Sequence, residues 1–123
     1  MGTTYAVGFG YGVMVKYSDL EKKIPADIQA ALDEEYMGLG EMFEAIDAPL
    51  LVLEQAGNMW NGGDGGYVGI FIASTAKSDY DFVVSSKEHH LPNEEEMKAL
   101  TDMLVRLSLT KEKLKWWAWS YQG

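Results

Sequence analysis

Cysteine is absent from the chain, which removes disulfides, thiolate nucleophiles and cysteine-ligated zinc or iron–sulfur sites. Arginine occurs once, as Arg106, and histidine only as the adjacent pair His89-His90. Apolar runs fall far short of the roughly 18 residues that a membrane-crossing helix needs. The first residues lack the basic, apolar, small-residue succession of a secretion signal. Ala6 stands where a myristoylated chain would carry Ser or Thr. Together these absences lead us to expect a cytoplasmic protein with no membrane segment and no cofactor.

Positive charge is also scarce. Ten basic residues stand against 19 acidic ones, for a net charge of −9. The imbalance is uneven: residues 18–56 hold ten acids against Lys22 and Lys23, whereas residues 97–123 hold five bases against two acids. Direct binding to nucleic acid is therefore not expected, because gripping phosphates needs a basic surface. A protein partner with a basic surface is electrostatically compatible, although acidity also serves solubility by itself.

What is present suits one folded unit. A chain of 123 residues, 47% hydrophobic, can bury a core as a single domain over residues 1–123. Its opening stretch, YAVGFGYGVMVKY at residues 5–17, places glycine at positions 8, 10 and 12. A dinucleotide fingerprint would need a third glycine one residue later and a helix start after it. Here Val13 and MVKY follow instead. The odd positions carry Tyr5, Val7, Phe9, Tyr11, Val13, Val15 and Tyr17, which share one face of a strand. Glycines on the other face predict a bend, a bulge or close approach by another element.

Further along, Ser18 and Glu21 fit a capping box for a short helical turn ending near Ile24, and Pro25 fits the first position of a second helix. Ile28, Ala31, Leu32 and Tyr36 recur at helical spacing as its inner face. Met42, Phe43 and Ile46 suggest another short helix. Strands are expected at residues 49–55, 66–74 and 79–86. A helix is expected from Asn93, with Met97, Leu100, Leu104 and Leu107 inward, and a tryptophan-rich strand at residues 115–122. This order predicts an α+β fold: a mainly antiparallel or mixed sheet of about five strands, with helices packed on one face.

Candidate chemistry is thin. His89-His90 with Glu88, Glu94 and Glu96 supplies metal-ligand types, but adjacent extended histidines point apart and the H-E-x-x-H spacing is missing. Ser85 and Ser86 lie near these histidines without a nucleophile elbow. The loop at residues 57–66 misses the calcium nonapeptide at Tyr67. The same loop carries Met59 and Trp60, which read either as anchors for a partner or as caps on the core. Lys113, Lys115, Trp116, Trp117, Trp119 and Tyr121 interleave bases with aromatics, a pattern read as packing or subunit contact. The runs Asp33-Glu34-Glu35 and Glu94-Glu95-Glu96 read as solvated. In general character (small, acidic, cysteine-free, aromatic-rich) the chain is similar to accessory proteins of bacteriophages and mobile elements.

The leading expectation is a non-enzymatic, acidic protein-binding protein, of inhibitor type, that engages a basic surface. Its contact residues would be Asp27, Asp33, Glu34, Glu35, Glu41 and Glu44, with Met59 and Trp60 as anchors. The alternatives are a self-associating assembly protein that forms a homo-oligomer, and a small-molecule-binding protein or enzyme with a pocket floored by the glycines of the first strand.

Overall fold

A computed structural model describes residues 5–56, 66–79 and 91–122. In chain order these form β1 (Tyr5–Lys16), α1 (Tyr17–Glu21), α2 (Ala26–Glu34), a 3₁₀ turn (Leu39–Glu41), α3 (Met42–Ala45), β2 (Leu51–Ala56) and β3 (Tyr67–Ile72). A second 3₁₀ turn (Ala73–Thr75), β4 (Lys77–Asp79), α4 (Glu94–Arg106) and β5 (Lys115–Gln122) complete them. The fold is α+β. Strand neighbours follow the path β2-β3-β1-β4, with β5 also paired to β1. Every pairing among the described residues is antiparallel. Among the described residues, no helix is long and apolar enough to cross a membrane.

The alternation in β1 sets the core. Its register with β3 aligns Val13 with Ile70 and Val15 with Val68, and β2 places Leu51 opposite Ile72. These side chains form one buried cluster with Leu20 of α1, Ile28 and Leu32 of α2, Met42 and Phe43 of α3, and Leu100, Met103 and Leu104 of α4. Trp116 of β5 extends the same face, stacked on Phe9 at 5.2 Å and edge-on to Tyr11 at 5.3 Å.

The opposite face of β1 answers the question its glycines raise. Gly8, Gly10 and Gly12 are buried. Phe71, aligned with Gly12, is fully buried in a small second cluster with Met14, Val52, Ala76 and Trp117 packed against it. Its ring lies so close that a Cβ on Gly10 would sit 3.0 Å from it. Gly12 is tighter still: a Cβ there would stand 1.9 Å from the carbonyl oxygen of Ile70. Trp117 closes the face by donating its indole N–H to the carbonyl of Gly12 at 3.1 Å. An aromatic ring laid over bare glycines restores the packing that the missing side chains forgo.

β3 and β4 both pair with β1, and where the 3₁₀ turn between them interrupts that ladder, Thr75 mends it. Its hydroxyl accepts the Tyr11 N–H at 3.0 Å and donates to the Ile72 carbonyl at 2.7 Å. Thr75 is accordingly one of two buried polar residues among those described. The other is Glu96. At the start of α4, the Asn93 side chain accepts the Glu96 N–H at 2.8 Å, and Glu96 accepts the Asn93 N–H at 2.9 Å. The second oxygen of Glu96 accepts the hydroxyl of Ser74, tying the helix to the sheet.

Several sequence expectations need correction. Ser18 does not cap a helix: α1 begins at Tyr17 directly out of β1, with Lys16 in the cap position and no side-chain cap bond. Pro25 is the cap residue of α2 and not its first residue. Tyr36 is not on an inner face, because α2 ends at Glu34 and Tyr36 adopts φ 53°, leaving it 97% exposed. Glu96 is buried where the 94–96 run was expected to be solvated. β2 runs over Leu51–Ala56, and β3 stops at Ile72 because the 3₁₀ turn follows. The strand expected at 79–86 lies almost wholly outside the described residues. β5 matches the strand expected at 115–122.

Candidate functional site

The six carboxylates singled out from the sequence fall on two packed helices and their flanks. Asp27, Asp33 and Glu34 belong to α2, Glu35 follows it as the C-cap, Glu41 closes the first 3₁₀ turn and Glu44 lies in α3. α2 and α3 touch each other, so the helical periodicity that buries Ile28, Leu32, Met42 and Phe43 turns all six acids outward into water. Asp27 is in an ion pair with Arg106 at the end of α4. Asp33 accepts the side-chain N–H of Gln29, one turn earlier, at 3.0 Å. Met59 and Trp60 lie outside the described residues.

The segment 33–36 is electrostatically expensive. The C-terminal end of a helix carries roughly half a negative charge, and cations are favoured there. The last turn of α2 contains no basic residue; Asp33, Glu34 and Glu35 crowd this end instead. Each unfavourable placement costs about 0.3–1 kcal/mol on a surface. Immediately after them, Tyr36 occupies the left-handed position of the helix-ending turn, closed by the Met37 N–H on the Leu32 carbonyl at 2.9 Å. Glycine takes that position without a steric cost, whereas a side chain costs about 1–2 kcal/mol there. Nothing offsets that cost by burial, since Tyr36 is almost fully in water.

Sequence periodicity alone misread Tyr36 as an inward residue. A usable signal lay just after it: glycines at 38 and 40 mark a helix that has already stopped.

Elsewhere the described surface offers little catalytic apparatus. The glycine face holds the rings of Phe71 and Trp117 rather than an open floor. In β5 the Lys115 ammonium lies 4.1 Å above the Trp117 ring, and Trp116 packs on Phe9 and Tyr11. Partial burial pushes the Glu54 carboxyl on β2 above its ordinary value of 4.5. Among the described residues, no group of three or more His, Asp or Glu side chains could hold a metal ion. His89 and His90 lie outside the described residues. Comparison with protein-family models, with characterised proteins and with solved structures finds no match to this chain.

Proposed function

We propose that the chain is a non-enzymatic protein-binding protein, of inhibitor type, that engages a basic surface on its partner through the carboxylates of α2 and α3. On this reading the sheet has five strands and carries its helices on one face, so that α2 and α3 present their acids outward as a single patch. The observation that supports it is the 33–36 segment. Three carboxylates on the negative end of a helix and a water-exposed tyrosine in a left-handed conformation all cost stability. Beyond the Gln29–Asp33 hydrogen bond, local folding gains little from them, whereas a cationic partner would gain from each carboxylate, and tyrosine is a residue type favoured at contact centres.

The experiment pairs two neutralised variants. Asp33→Asn/Glu34→Gln/Glu35→Gln removes the patch, and Asp19→Asn/Glu94→Gln/Glu112→Gln removes equal charge outside the patch and its neighbouring surface. Binding to a lysine-rich probe peptide is then measured by calorimetry. The patch variant should bind more weakly than the control while melting at a higher temperature, because the helix-end repulsion is gone. Equal binding by both variants would show that overall charge, not this patch, attracts the probe.

A further inference from the structure

An apolar trough opens beside the acidic helices, along the segment Ala48 to Leu51 that joins α3 to β2. One cavity of about 450 Å³ lies between this segment and α4, floored by Pro49, Leu50, Leu51, Ala99 and Met103. A second, of about 420 Å³, continues past the same Ala48, Pro49 and Leu51 toward Phe43 and Leu53. The rim is charged and mostly of one sign. Glu44 and Asp47 stand at one end, Glu95 and Asp102 at the other. The cations at hand are already engaged: Arg106 with Asp27, and Lys98 with Asp102 at 2.7 Å. Glu44, Asp47 and Glu95 have no ion-pair partner among the described residues.

We propose that this trough receives a cationic amphipathic segment of the partner protein, with an apolar side chain seated on Leu50, Leu51 and Met103 and flanking lysines or arginines against Glu44, Asp47 and Glu95. The inference rests on the proposed function and adds to it an apolar anchor and a partner chemistry. Charge complementarity selects the occupant. An acidic or neutral apolar segment would face unpaired carboxylates on both sides, whereas flanking bases meet them. The apolar floor supplies what charge alone lacks, since a buried side chain contributes independently of salt.

The test uses two synthetic peptides of equal positive charge, one with leucines at helical spacing and one with those leucines replaced by serine. Both are titrated against the wild-type chain and against Ala99→Gln, which sets a polar side chain into the floor at a half-exposed helical position that glutamine tolerates. The leucine peptide should bind at least about tenfold more tightly than the serine peptide, equivalent to about 1.4 kcal/mol, and Ala99→Gln should abolish the preference at an unchanged melting temperature. Should Ala99→Gln melt lower, backbone amide shifts on the wild-type chain decide instead, and they should centre on residues 48–51 and 95–106. Equal, salt-sensitive binding of both peptides would overturn the trough and leave the acidic surface standing. Absence of binding by either peptide at low salt would overturn both. A concentration-dependent dimer that Ala99→Gln abolishes would make a second copy the occupant and refute a foreign partner.

Discussion

Replacing Gly12 with alanine should destabilise the chain severely, and the size of the effect follows from the geometry. The new Cβ would lie 1.9 Å from the Ile70 carbonyl oxygen, against 3.4 Å for ordinary contact, so the two backbones must part by 1.5 Å. Such a displacement stretches neighbouring β1–β3 ladder bonds of about 2.9 Å beyond hydrogen-bonding range. Losing two of them at about 1 kcal/mol each, with overpacking of about 1–3 kcal/mol, gives about 3 kcal/mol or more. For a domain of this size each kcal/mol moves the melting temperature by about 4 °C, so Gly12→Ala should melt roughly 10 °C or more below wild type. Gly10→Ala provides the contrast. Its Cβ would meet the Phe71 ring at 3.0 Å, a deficit of only 0.4 Å. The lower chain entropy of alanine offsets that strain by about 0.5–1 kcal/mol, so Gly10→Ala should stay within about 1 kcal/mol of wild type. Thermal melts followed by circular dichroism measure both. A Gly12→Ala protein melting within about 2 °C of wild type would refute the close approach, and with it the structural reading of the glycines.

Glu96→Ala should lower stability by about 2–3 kcal/mol, because it removes the side-chain half of the capping box on α4 and the buried carboxylate that accepts the Ser74 hydroxyl; chemical denaturation checks this. Tyr36→Gly should raise stability by up to about 1 kcal/mol, since relief of the left-handed strain exceeds the entropy that glycine loses. A lower melting temperature for that variant would mean that Tyr36 packs in the folded state. The raised Glu54 titration makes the folded state favour the protonated acid, so its contribution is fully present below the ordinary value of 4.5 and lost as pH rises through the elevated one. Glu54→Gln should therefore be more stable than wild type at neutral pH, with the difference vanishing toward pH 4, as read from melts across that range.

The elements with strong local signals were legible in the sequence. Alternation placed β1, Asn93 marked the start of α4, and the tryptophan-rich tail gave β5. What fills the glycine face was not legible, because Phe71 and Trp117 reach it only through pairings of distant segments. The same limit hid the burial of Glu96, whose second bond comes from Ser74 on the turn after β3. Tyr36 was misplaced for another reason: helical spacing continues past the residue where the helix stops. The outward acids of α2 and α3 followed directly from periodicity. The trough did not, since it forms between α4 and a non-helical connection whose residues carry no repeating pattern.

The claim that negative charge on α2 and α3 is the working surface is tested most directly by the affinity for a partner captured from the native host. That affinity should be measured from about 0.01 M to about 1 M ionic strength, over which the screening length falls from roughly 30 Å to 3 Å. It should weaken steeply along that range for the wild-type chain, and the slope should flatten for Asp33→Asn/Glu34→Gln/Glu35→Gln. An affinity indifferent to salt, or a slope that the triple variant leaves unchanged, would contradict it.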